Sequence, residues 1–205
     1  MKANPGTGSR KGVVNLGRSN SFKIAAVLGG LIIIAVIYGI STYNSLVTAN
    51  ENIDAKWSQI ENQLQRRSDL IPNLVETTQA YAKQEKEIFT SIAESRAKLA
   101  GAETLGETAQ ADADLSKALS RLLVLVEKYP ELKSDANFRQ LADELAGTEN
   151  RLATARRDYN EAVREYNTRV KRFPANLIAN MGGFSKRPYF EVDETARDVP
   201  KVDFN

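Results

Sequence analysis

The chain has 205 residues, 42% of them hydrophobic, which is room for one ordinary domain with a real core and an appendage. It contains no cysteine and no histidine. That excludes Cys nucleophiles, Cys/His zinc sites, Ser-His-Asp triads and the Glu-x-x-His ligation of di-iron bundles, so no metal, cofactor or catalytic residue is expected.

The net charge of +2 is unevenly spread, because Lys2, Arg10, Lys11, Arg18 and Lys23 meet no acid before residue 24. The remainder is mildly acidic, which argues against nucleic-acid binding, since phosphate neutralisation needs a basic face. Residues 1–22, with Pro5, early glycines and no apolar periodicity, read as a disordered basic tail.

A transmembrane helix is expected over 23–43. Its centre, Ile24 to Ile40, is 17 residues without a charge. At about 1.5 Å per residue this is near the lower limit for crossing about 30 Å of hydrocarbon. A cleavable signal peptide would have a shorter apolar region ending in an A-x-A-like site, whereas this run leads into YGISTYN, so an uncleaved single span is expected. The basic residues before the span, against Lys56 alone in the 20 residues after Ser41, favour a cytoplasmic N-terminus and an extracytoplasmic body. Gly29, Gly30 and Gly39 each follow an alanine four residues earlier, a spacing that permits a homo-oligomer through the span but is also ordinary for a membrane helix.

Residues 44–173 carry four apolar stripes at coiled-coil spacing. Leu46, Asn50, Ile53, Trp57, Ile60 and Leu64 form the first. Ile71, Leu74, Thr78, Tyr81, Glu85, Ile88, Ile92, Ser95 and Leu99 form the second, broken by the linker from Gly101 to Gly106. Leu115, Leu119, Leu122, Val126 and Tyr129 form the third, ended by Pro130; Phe138, Leu145, Leu152, Tyr159, Tyr166 and Phe173 repeat every seven residues in the fourth, which Pro174 stops.

A bent rod through residues 65–76, QRRSDLIPNLVE, competes with a hairpin there. Arg66 and Arg67 suit a helix C-terminus, Asp69 can cap the next helix and Pro72 fits a first turn, so the hairpin is expected. The fold class is therefore all-α: one transmembrane helix, then an antiparallel up-and-down four-helix bundle with long helices, then an irregular C-terminal tail over 174–205.

Three groups of polar residues are candidates for function. Arg66, Arg67 and Asp69 would lie at a membrane-distal turn about 35 Å from the bilayer, as a partner-binding face, although capping also accounts for their charges. Asn50, Thr78 and Glu85 interrupt apolar stripes, and with Arg156 would form a buried polar layer, more in keeping with fixing register than with binding a ligand. Arg169, Lys171, Arg172, Phe173, Phe184, Lys186, Arg187 and Tyr189 mix bases and aromatics without an acid, which suits an anionic lipid surface and equally suits a hook over the open end of the bundle.

The chain resembles the LemA family of bacterial membrane-anchored proteins. The likeness lies in YNSLV (43–47), WSQIENQLQRRSDLIPNLVETTQAYA (57–82), RLATARRDYNEAVREYNTRVKRFPANLIA (151–179) and the closing PYFEVDE and VPKVDF. It implies a membrane span, a helical bundle and no established catalytic activity, with relatives connected with magnetosome membrane formation. The family is usually drawn with its bundle in the cytoplasm, against the charge reading. Gln84 departs from the His-Glu that members often show before Glu85. The expected function is a non-enzymatic scaffold or adaptor of the cell envelope, partnered by other membrane or envelope proteins. Self-assembly that organises the membrane is the alternative. An enzyme pairing Glu85 with Asp54 or Glu149 lacks a cleft, a phosphate loop and a nucleophile.

Overall fold

The computed structural model describes residues 17–191, with side chains from residue 22 onward. Its regular elements are all helices: α1 (Gly17–Tyr81), α2 (Lys86–Ala100), α3 (Leu105–Val126), α4 (Pro130–Ser134), α5 (Ala136–Lys171) and α6 (Ala175–Met181). The all-α class and the up-and-down helical arrangement are as expected, although α2 and α3 are much shorter than α1 and α5. The last residues of the expected basic tail, from Gly17, are helical, and residues 1–16 lie outside the described part.

Helix α1 is 65 residues long, about 97 Å at 1.5 Å per residue. An 18-residue window near its start has a mean hydropathy of 2.5 and is not buried within the protein, so it is long and apolar enough to cross a membrane. The remainder of the helix runs on, without a break, as the first member of the bundle.

The hairpin expected at 65–72 is not formed. Pro72 sits inside α1, where its missing N–H leaves the carbonyl of Ser68 without a helical partner. The guanidinium of Arg96 on α2 supplies one, its Nε donating to the Ser68 carbonyl and standing equally close to the Ser68 hydroxyl, both at 3.1 Å. The proline is thus accommodated by a neighbouring helix instead of ending its own. The turn lies at 82–85, where Ala82 is buried and no glycine, proline or side-chain cap marks the sequence. Ile71, Leu74 and Thr78 consequently belong to α1, and α2 is only 15 residues long.

The consequence is a bundle built in two storeys. Helices α1 and α5 pair along the whole length, while the shorter α2–α3 hairpin covers only the membrane-distal half. Its core joins Ile71 and Leu74 to Phe89, Ile92, Leu115, Leu122 and Phe138. In the proximal half, Leu46, Ile53 and Ile60 meet Leu152, Tyr159, Val163 and Tyr166, and the third wall is the chain after α5, through Ala179 and Phe190. Burying each large apolar side chain contributes about 1.5–3 kcal/mol. Ile53, Ile60, Leu115, Leu122 and Leu152 are fully buried, so truncating any of them to alanine would cost about 2–5 kcal/mol.

Local signals place the remaining ends. Thr104 and Glu107 form a capping box at the start of α3, and the Asp135 carboxylate accepts from the Phe138 N–H at 2.9 Å to start α5. Pro130, expected to end the third helix, instead opens the short α4; α3 stops at Val126 and Tyr129 lies in the turn. Phe173, the last member of the fourth heptad stripe, falls beyond α5 and is exposed.

Candidate functional site

Midway along the bundle, three helices meet at a group of charges. Arg67 of α1 is only 3% exposed. Its Nη1 lies 2.7 Å from Asp112 Oδ1 of α3 and 2.8 Å from Glu149 Oε2 of α5, and its Nη2 donates to Ser116 Oγ at 2.9 Å. Asp112, 2% exposed, also pairs with Arg156 of α5, whose Nη1 is 3.9 Å from Glu149 Oε1. The Arg156 guanidinium lies 5.3 Å from the centroid of the Phe190 ring.

Burial lowers the pKa of Arg67, opposed by the negative charge of Glu149. Arg156 is pushed down to about 10, first by burial and then by the like charge of Arg67. Both remain cations at neutral pH. The Nε groups of both arginines are buried without an acceptor among the described residues, which adds to the cost of holding two cations here. Arg67 and Asp112 are shut off from solvent, while Arg156 and Glu149 lie at the edge of the network. Its geometry ties α1, α3 and α5 into one register.

A second construction holds the chain after α6. Asn167 donates to the carbonyl of Arg187 and accepts from its N–H, both at 2.9 Å. Seven residues earlier on the same helix face, Asn160 does the same for Phe190, at 3.1 and 2.8 Å. Each carboxamide satisfies both backbone groups of one residue in the non-helical segment after α6. Tyr159 donates its hydroxyl to the Pro188 carbonyl at 3.1 Å. The Arg187 guanidinium reaches across to Asp54 and, at 3.3 Å, to Asn50 Oδ1 on α1. Where this segment meets the α2–α3 link, a groove of about 630 Å³ opens beside Trp57, Leu64, Leu99, Leu105 and Pro188.

Several expected groupings are redrawn by this geometry. Arg66, Arg67 and Asp69 do not form a distal face: Arg66 is exposed 3.6 Å from Glu144, Asp69 is exposed and accepts from Gln65, and Arg67 points into the core between them. The distal end is made instead by the 82–85 turn, Tyr129 and α4, with Tyr81 donating to Asp135 at 3.1 Å. Nor do Asn50, Thr78, Glu85 and Arg156 share a layer. Asn50 receives Arg187, the Thr78 hydroxyl donates to its own helix at the Leu74 carbonyl, Glu85 accepts from Tyr129 at the distal turn, and Arg156 belongs to the mid-bundle network. Asp54, Glu85 and Glu149, weighed as a carboxylate pair, stand in three separate environments.

Of the tail residues, Arg187 turns inward and Phe184 packs edge-on against Tyr43, with ring centroids 5.3 Å apart. Arg169, Lys171, Arg172, Phe173, Lys186 and Tyr189 are exposed, and Arg169 donates to Ser45 Oγ of α1 at 3.0 Å.

This architecture can be set against known proteins. The sequence model of the LemA family matches residues 56–204. The chain belongs to the LemA family. It is 30% identical to magnetosome protein MamQ 2 of Paramagnetospirillum magneticum, over 91% of this chain and 78% of that one. Identity to magnetosome protein MamQ of Magnetospirillum gryphiswaldense is 29%, over 78% of this chain and 68% of the relative. The protein LemA of Metamycoplasma hominis is 22% identical over 75% and 71%. As a LemA-family chain carrying an apolar N-terminal helix, this is a membrane-associated protein.

Proposed function

We propose that this LemA-family chain is a non-enzymatic, membrane-anchored scaffold or adaptor of the bacterial envelope, and that the distal end of its bundle receives other membrane or envelope proteins. The observation that carries the reading is the unbroken α1. A flexible linker after the span would let a bundle wander, whereas one helix holds it at a set height. From Tyr43 to Tyr81 that height is about 57 Å. The non-enzymatic part is supported by a composition without Cys or His, and by buried charges that neutralise one another instead of lining a cleft.

The test is photo-crosslinking in cells from Tyr81, Val124 and Lys128 at the distal end, with Thr154 midway along α5 as a comparison. Adducts to a reproducible envelope protein from the distal positions alone are expected. No adduct at any of them would sink the reading.

A second reading, membrane organisation by self-assembly, draws on Gly29 and Gly30, where an added Cβ would meet nothing from outside its own stretch of helix within 4 Å among the described residues. It also draws on relatives named as magnetosome proteins. Distal adducts made only to further copies of the chain would favour it. The charge asymmetry favours a cytoplasmic N-terminus and an extracytoplasmic bundle in the inner membrane. Since the chain has no native cysteine, Ser134→Cys on α4 offers one exposed thiol. Labelling by an impermeant maleimide in intact spheroplasts supports that orientation, and protection until lysis reverses it.

A further inference from the structure

We propose that α6 and its flanking residues form a foot that stands in the headgroup layer of the bilayer crossed by α1, with its outer face in the acyl boundary and its bases on anionic lipid phosphates.

Helix α6 is packed beside the end of the span. Ile178 Cδ1 lies 3.6 Å from the position of a Cβ added to Gly39, which is itself within the uncharged run 24–40. One helical turn further along α1, Tyr43 holds Phe184. Gly182 fits between these rings, since a Cβ there would come within 2.8 Å of Phe184 and 3.1 Å of Tyr43. The element is therefore fixed at the depth of residues 39–43, where hydrocarbon gives way to water.

Its two faces differ accordingly. Ile178 and the fully buried Ala179 face the protein. Leu177 and Met181, four residues apart on α6, are 52% and 86% exposed and form its outward stripe, and Phe173 in the turn before the helix is 75% exposed. In water such a stripe would be a liability; at the edge of a bilayer it is buried. Arg169, Lys171, Arg172 and Lys186 are exposed around it, and no acid occurs between Glu165 and Glu191. That charge pattern matches lipid phosphates. The occupant of the face is thus the same bilayer, reached by continuity with the span and not by a separate docking event.

The test uses the full chain in nanodiscs containing phosphatidylglycerol and phosphatidylcholine. Nitroxides are placed at Leu177→Cys and Met181→Cys, with Val124→Cys on the exposed distal face of α3 as the aqueous reference. The ratio of accessibility to oxygen over that to a water-soluble nickel chelate should be several-fold higher at 177 and 181 than at 124. Equal ratios would overturn the proposal. So would shielding from both reagents with dipolar broadening that grows with protein density, since a second copy would then cover the face. Lys171→Gln, Arg172→Gln and Lys186→Gln together should lower the ratio at 181 in mixed discs but not in pure phosphatidylcholine; the same response in both would refute the contact with anionic phosphates. None of these readouts depends on a protein partner at the distal end.

Discussion

Substituting Asp112 by alanine isolates the energetics of the mid-bundle network. The carboxylate is 2% exposed and receives both Arg67 and Arg156. Its removal leaves Arg67 buried, with Glu149 and Ser116 as remaining partners. Arg156 is better placed, being a quarter exposed and stacked near Phe190. Breaking a buried ion pair from one side costs about 3–5 kcal/mol, because an uncompensated charge remains. Glu149 is partly exposed and already pairs with Arg67, so the low end applies: about 3 kcal/mol. For a chain of this size that lowers Tm by about 6–12 °C. Thermal unfolding of the full chain in nanodiscs, followed by far-UV circular dichroism, measures it.

The double variant Arg67→Met/Asp112→Leu should recover most of the loss, because it removes both buried charges and leaves Arg156 to Glu149 at the solvent edge. A shift of less than about 2 °C for Asp112→Ala would mean that water already solvates Arg67. A double variant as unstable as the sum of its two single changes would refute the charge-pairing account.

Further outcomes follow from other contacts. Arg96→Met should cost about 0.5–1.5 kcal/mol by freeing the Ser68 carbonyl, and that cost should vanish in a Pro72→Ala background, where the restored N–H takes the acceptor; a double-mutant cycle by urea unfolding reads the coupling. Asn167→Ala removes both bonds to Arg187 and should release the segment after α6, seen as faster proteolysis between residues 172 and 191 with the α2–α3 hairpin still protected. The Asp135 carboxyl is held below its usual 3.8, chiefly by the Phe138 N–H. A depressed carboxylate stabilises the fold above its unfolded pKa, and this is lost as pH falls through the lower folded value. Wild type should therefore lose stability below about pH 4 more steeply than Asp135→Asn, which keeps a capping oxygen without a charge; parallel acid curves would count against it.

The helical class, the apolar N-terminal segment and the family were legible because each rests on long runs: a charge-free stretch, seven-residue steps and extended matching strings. The turn was misplaced for a local reason. Arg66, Asp69 and Pro72 are ordinary turn chemistry, yet the positions 46, 53, 60, 67 and 74 keep one heptad phase through them, with Arg67 occupying a core site. That unbroken phase pointed to a continuous helix. It could not have located the true turn, because the phase also runs through 81, 85 and 88, where α1 does end.

Asp112 shares phase with Leu115, Leu119 and Leu122, so a buried charge on α3 was readable as a partner for Arg67. The clamps left a fainter mark, a Tyr-Asn pair at 159–160 repeated at 166–167. What they hold could not be inferred, since an extended segment lacks a period of its own. The Arg96 contact depends on how two helices meet and has no signature in either.

The two-storey bundle also sets an order of assembly. The distal storey's core is complete in sequence once α5 has been made as far as Leu145, whereas the proximal storey waits for residues 187–190 to reach Asn160 and Asn167. During synthesis, with the span already threaded into the bilayer, structure would therefore advance from the tip towards the membrane. The part nearest the lipid is the last to close, so a pause or a nick late in the chain leaves the tip folded and the base open.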